Sequence, residues 1–283
     1  MGTKVEDGWA GVGGLRIHYL ASGESGDAPV LLLHGGGYDS ARLSYGSSLG
    51  SISRYYKTFA PDWPGYGASD KLKARYSTGY YVYFLGRFMD ALSLEKASLV
   101  GISMGGAISL GFTLSSPQRV DKLVLVDSHG LGRELPWQKT SWALVRLPLL
   151  NRALWTLMGR SRRMIRWSLE AVFYEPRNAT EDLVDEIYRL TKTSRAASAW
   201  RSWQRSEILW DGLRTNFVDR LHEVAVPTLI LHGAEDRFVP VAWARRAHQM
   251  IQDSELRIFP GCGHWLPREA PGEFERAVLE FLA

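Results

Sequence analysis

Ala97-Ser98-Leu99-Val100-Gly101-Ile102-Ser103-Met104-Gly105-Gly106-Ala107 is the stretch that decides how this chain folds. Residues 97–102 form an unbroken apolar run, the pattern of a strand buried on both faces. Met104–Leu114 continues as a helix rich in small residues and stops before Pro117. Gly101-Ile102-Ser103-Met104-Gly105 fits G-x-S-x-G at the joint between the two. A strand turning abruptly into a helix forces residue 103 into a strained conformation. Glycines on either side let the neighbouring backbone approach. The Ser103 hydroxyl then stands at the helix N-terminus, where the unpaired Met104 amide can donate to an oxyanion.

Working outward, Leu15–Leu20, Val30–His34, Tyr56–Asp62, Lys122–Val126, Val226–His232 and Leu256–Phe259 also read as strands, with a polar turn at 23–29. Thr78–Leu92, Val241–Ile251 and Arg268–Leu282 read as helices. Strands alternating with helices predict an α/β protein whose mostly parallel sheet is covered on both faces. From 130 to 222 the alternation breaks. That segment shows no convincing strand, but it has helical patterns, prolines at 136, 148 and 176, and tryptophans at 137, 142, 155, 167, 200, 203 and 210. It reads as a helical insertion between two strands.

A serine hydroxyl needs a base. Of seven histidines, His264 in Gly261-Cys262-Gly263-His264-Trp265 follows a strand and reaches the carboxyl edge of the sheet, where catalytic groups gather. Asp236, just past the preceding strand, gives the order Ser…Asp…His and is the candidate acid. Asp127, at the end of strand 122–126, is its rival. His34-Gly35-Gly36-Gly37 follows strand 30–34 and supplies a second oxyanion donor, assigned to the Gly36 amide with Gly37 as the alternative. Gly35, Gly37, Ile102, Trp137, Trp142 and Trp265 are the residues expected to contact substrate.

The 283 residues, 45% of them hydrophobic, suffice for one large core. The net charge is +4, and the excess is local: residues 130–168 hold Arg133, Lys139, Arg146, Arg152, Arg160, Arg162, Arg163 and Arg166 against Glu134 alone. A solvated face, attraction for anionic substrates and docking on an anionic membrane surface all fit such a patch. No recognised nucleic-acid motif accompanies it. No metal or cofactor is expected, because H-E-x-x-H, ligand-spaced cysteines and a G-x-x-x-x-G-K loop are all missing. With Cys262 as the lone cysteine, no apolar spanning run and no apolar region near Met1, the expectation is a cytoplasmic chain without stable membrane insertion. A homodimer is compatible with the sequence.

Together these residues resemble the α/β-hydrolase fold family, as does Asp62-Trp63-Pro64-Gly65-Tyr66-Gly67-Ala68-Ser69, similar to the family's D-x-P-G-x-G-x-S loop. The resemblance implies an eight-stranded sheet in a core of 1–129 and 223–283, with 130–222 as a helical cap between strands six and seven. Haloalkane dehalogenases and epoxide hydrolases carry aspartate where Ser103 stands. Cofactor-free haloperoxidase-like esterases share the Ser/Asp/His set. The chain is also similar to carbon–carbon hydrolases of aromatic meta-cleavage products at His34–Gly37, Ser103–Gly106, 236–240, 262–265 and 171–175. It departs from them at Ile102, where they have asparagine, at Tyr38-Asp39, where they have proline–glycine, and at Glu170, near their acid-binding cap arginine. Arg166 lies one turn earlier.

The preferred reading is therefore a serine hydrolase cleaving esters of hydrophobic or aromatic acyl groups. The alternative is a carbon–carbon hydrolase. A non-catalytic binder of the same fold is a third reading, weakened because all three triad types are present. Activity should rise with pH through a histidine ionisation at roughly pH 6–7.

Overall fold

The computed structural model describes residues 4–24, 29–193 and 196–283; part of the turn expected at 23–29 lies outside them. The chain opens with β1 (Glu6–Val12), β2 (Leu15–Ser22) and β3 (Val30–Leu33), then short helices α1 (Ala41–Tyr45) and α2 (Leu49–Ile52). β4 (Thr58–Pro61), α3 (Thr78–Ala91), β5 (Ala97–Ile102), α4 (Met104–Ser115) and β6 (Val120–Val126) follow. Then come α5 (Gln138–Arg146), α6 (Pro148–Arg160), α7 (Arg162–Val172), α8 (Glu181–Thr193) and α9 (Ala196–Glu207), with a two-stranded hairpin of β7 (Ile208–Leu209) and β8 (Gly212–Leu213). β9 (Thr228–Gly233), α10 (Val241–Met250), β10 (Ser254–Phe259), α11 (Leu266–Glu269) and α12 (Pro271–Leu282) complete the chain.

One eight-stranded sheet runs β1-β2-β4-β3-β5-β6-β9-β10. Only the β1–β2 and β2–β4 pairs are antiparallel, so the sheet is mostly parallel, as the α/β pattern predicts. In register, Leu32 faces Val100, Val100 faces Val124, and Val124 faces Leu229. Because side chains alternate along a strand, these four line one face of the sheet. There they pack with residues of α1, α2 and α12. Leu31, Leu33, Leu99, Leu123 and Ile230 line the other face, against α3, α4 and α10.

Three differences from the sequence reading have physical causes. β1 was not foreseen, because it is a half-exposed edge strand containing Glu6, Asp7 and two glycines. The hairpin 208–213 sits inside a segment that showed no strand, since two-residue strands carry no periodicity. The final helix is two, broken at Ala270-Pro271, where proline removes an amide donor.

Phe274 of α12 is fully buried, with its ring 6.4 Å from that of Tyr45. Phe274→Ala removes a large buried ring and leaves a cavity, so chemical denaturation should show a loss of about 3–5 kcal/mol. A loss under about 1 kcal/mol would mean that α12 is not a fixed part of this core.

Candidate active site

The carboxyl edge of the sheet gathers residues from three distant parts of the chain. Ser103 lies between β5 and α4 with φ 52° and ψ −115°, a conformation that side chains other than glycine rarely take. Its amide donates to Val126 O (2.9 Å), and its carbonyl accepts from Ala107 and His129. The flanking glycines are steric requirements. A Cβ at Gly101 would lie 2.4 Å from Gly105 O, and one at Gly105 would lie 2.1 Å from Leu33 O.

His264 Nε2 is 2.9 Å from Ser103 Oγ, and Nδ1 is 2.7 Å from Asp236 Oδ2. Asp236 is itself fixed, because Oδ1 accepts the amides of Phe238 (2.7 Å) and Val239 (2.9 Å). Asp127 does not take that place. Its carboxylate accepts the amides of Gly233 (2.8 Å) and Leu266 (3.2 Å), tying β9 to the segment after His264. Burial pushes its carboxyl above the ordinary range.

Burial disfavours a charged imidazole at His264. The Asp236 charge and hydrogen bond, with Asp127 and Glu269 behind them, outweigh it and raise the group to about 9. Burial likewise opposes ionisation of Asp236, but the facing His264 charge holds its carboxyl below the usual value. The pH limb expected at roughly 6–7 therefore moves upward. Asp127, His232 and Asp236 are the group among the described residues whose donor atoms, within 4.8 Å of one another, could meet a metal. All four carboxylate oxygens already accept hydrogen bonds within the protein.

Among the described residues, the amides of Gly36, Gly37 and Met104 donate to no protein acceptor, whereas the Gly35 amide is taken by Asp39 Oδ2 at 2.8 Å. Trp200 lies over Gly36: a Cβ there would come within 2.1 Å of its ring. From Trp200 an aromatic roof extends both ways. Trp203 stacks at 4.8 Å with His129 beyond it, and Trp155 lies at 6.4 Å with Tyr38 beyond it.

The expected contact residues divide. Gly35 lies beside the serine, where an added Cβ would come 3.4 Å from that of Ser103, whereas nothing lies within 4 Å of where a Cβ at Gly37 would stand. Trp137 is 73% exposed, and Trp142 packs edge-on against Trp210, so neither belongs to the roof. Ile102 is buried in the core, as β5 alternation requires. Trp265 is buried, donates to Ser44 Oγ and stacks on Phe173. Arg166 donates to Ala179 O and pairs with Glu181.

Sequence reasoning missed Trp155, Trp200 and Trp203 as the roof, and it missed Glu269. That carboxylate accepts the amides of Gly263 (2.9 Å), Trp265 (3.3 Å) and Tyr174 (2.7 Å), clamping the His264 loop from both sides. Glu235 accepts those of Gly261 and Cys262.

The α/β-hydrolase fold family model matches residues 28–271. The chain belongs to that family. A 2-hydroxy-6-oxo-6-phenylhexa-2,4-dienoate hydrolase of Comamonas testosteroni is 31% identical over 272 residues, covering 94% of this chain and 91% of the relative. A 2-hydroxy-6-oxononadienedioate/2-hydroxy-6-oxononatrienedioate hydrolase from the same organism is 32% identical, covering 96% and 93%. Among solved structures, a meta-cleavage product hydrolase from Pseudomonas fluorescens IP01 superposes with TM-score 0.83 at 26% identity, covering 97% of each chain. A Bacillus subtilis carboxylesterase shares the fold at TM-score 0.76 and 23% identity, covering 99% and 92%.

The His264 ring should titrate near pH 9 by NMR, and Asp236→Asn should lower that midpoint to the ordinary imidazole range of about 6.5 or below. An unchanged midpoint in the variant would show that Asp236 does not govern the charge on His264.

Proposed function

We propose that this α/β hydrolase cleaves a carbon–carbon bond next to a ketone in a 2-hydroxy-6-oxo-2,4-dienoate, through Ser103, His264 and Asp236. The observation that carries the reading is the unbroken relay from Asp236 Oδ2 to His264 (2.7 Å) to Ser103 Oγ (2.9 Å). The choice of bond is supported by relatives matched along nearly the whole chain. It replaces the ester as the leading substrate.

In the keto tautomer of such a substrate, carbon five is saturated and the ketone at carbon six is a plain electrophile. Ser103 Oγ adds to it while His264 Nε2 takes the hydroxyl proton. The Gly36 and Met104 amides receive the oxyanion, a contribution of about 3 kcal/mol per donor. Collapse breaks the bond between carbons five and six. The electron pair passes through the conjugated system to the oxygen on carbon two, which takes the proton from His264 as the dienol leaves. His264 then deprotonates a water that attacks the acyl-enzyme and releases the acid. The insertion acts as a cap, and the Trp155–Trp200–Trp203 roof favours an apolar or aromatic acyl group.

Ester hydrolysis is the second reading, and one observation favours it. Glu170 stands where the resemblance places an acid-binding arginine, and Arg166 is committed to Ala179 and Glu181. A dienoate carboxylate then lacks that partner.

Steady-state kinetics on a phenyl dienoate beside a p-nitrophenyl ester series test both. The proposal expects kcat/KM for the dienoate to exceed that for the esters by on the order of 100-fold. It also expects Ser103→Ala to lose on the order of 10⁴-fold or more on either substrate. Ester preference would turn the assignment to the second reading, and full dienoate turnover in Ser103→Ala would remove Ser103 from the mechanism.

A further inference from the structure

A cavity lies between the insertion and residues 74–75, and none of Ser103, Asp236 and His264 lines it. Ala199, Trp200 and Trp203 of α9 face Gly65, Gly36 and His129. Ser198, Arg201, Ser202 and Arg205, at i, i+3, i+4 and i+7, line this cavity of about 730 Å³ on another side of the helix. Arg75, Arg146, Arg152 and Arg214 join them from three other segments, and no carboxylate lines the space.

Six guanidinium groups around one cavity repel each other. Burial first, and then the Arg152 and Arg205 charges, make the proton on Arg201 harder to hold. Elsewhere in the described chain several arginines, Arg54, Arg87, Arg160 and Arg163 among them, also stand without a carboxylate partner, but only these six are gathered around one cavity, and nine arginines do pair with carboxylates: Arg42, Arg119, Arg133, Arg162, Arg166, Arg177, Arg220, Arg257 and Arg268. None of the six does. An uncompensated cluster of this kind matches an external anion rather than the protein's own acids.

The second observation is apolar. The α5–α6 corner that gives Arg146 and Arg152 to the cavity also exposes Leu147, Leu149 and Leu150, with Leu149 81% accessible. Leu157 is exposed two turns further along α6, on the same face as Leu150. Leucines grouped beside unpaired arginines form a surface that is apolar at its tip and cationic at its flank.

We propose that this corner docks peripherally on an anionic phospholipid surface. Leu147, Leu149 and Leu150 enter the headgroup region, and the arginine cavity receives a lipid phosphate. A soluble phosphate ligand would account for the arginines but leave the leucines in water. A second copy of the chain would cover the leucines but bring two sets of six like charges together. No helix among the described residues is long and apolar enough to cross a membrane, so the attachment is interfacial.

Co-sedimentation of the whole protein with vesicles containing phosphatidylglycerol, beside vesicles of phosphatidylcholine alone, tests this. Binding should favour the anionic vesicles by tenfold or more and weaken with salt. The triple variant Arg146→Gln/Arg152→Gln/Arg205→Gln should lose on the order of 100-fold in affinity. Leu149→Ser/Leu150→Ser should lose several-fold. Circular dichroism and hydrolysis of a soluble substrate should be unchanged in both variants. Three results would overturn the proposal. One is no preference for anionic vesicles. Another is arginine-variant binding equal to the parent. The third is vesicle binding that is indifferent to the leucine substitutions and abolished by inorganic pyrophosphate, which would mark a soluble phosphate site instead.

Discussion

Ser103 is held at φ 52° and ψ −115° by its amide bond to Val126 O and by the glycines that let α4 pass close to β3. Such backbone strain costs about 1–3 kcal/mol and persists only where the surroundings over-determine it. Here they do. β5 is paired on both sides, and every residue of α4 from Met104 to Thr113 is buried. The hydroxyl therefore projects from a rigid platform instead of a mobile loop. The same turn leaves the Met104 amide without an intrahelical partner, so the strained geometry presents a hydroxyl and a hydrogen-bond donor together.

A set of carboxylates carries that rigidity to the loops around the serine. Asp39 fixes Gly35 and bonds Ser40 and Ser44. Asp127 joins Gly233 to Leu266, Glu235 holds Gly261 and Cys262, and Glu269 holds Gly263 and Trp265. Each accepts backbone amides that the loop could not satisfy alone. Against the opposing effect of burial, the charge and hydrogen bond of Asp236, together with the charges of Asp127 and Glu269, also explain why His264 keeps its proton to higher pH than a free imidazole.

The β5–α4 joint, the histidine loop and the positions of seven of the eight sheet strands were legible because each rests on local pattern: an apolar run, a glycine spacing, a turn after a strand. The distinction between Asp236 and Asp127 was less so. Both end strands at the same rim, and only the three-dimensional path of the chain after 236 brings its Oδ2 to the imidazole. The roof was illegible for a related reason. Tryptophans 137, 142, 155, 200 and 203 look alike in sequence, and their placement depends on how five helices fold back over the sheet. Glu269 gave no signal either, because a glutamate at a helix end reads as solvated until the His264 loop is seen to close on it. The choice of scissile bond came from whole-chain similarity, since the triad is common to ester and carbon–carbon chemistry.

The central claim is that His264 makes the Ser103 hydroxyl nucleophilic, and covalent trapping tests it most directly. Intact-mass and peptide analysis after exposure to a fluorophosphonate should show one adduct per chain, on Ser103, forming faster as pH rises and slowed sharply in His264→Ala. An unmodified Ser103, or labelling equally fast without the imidazole, would contradict the account.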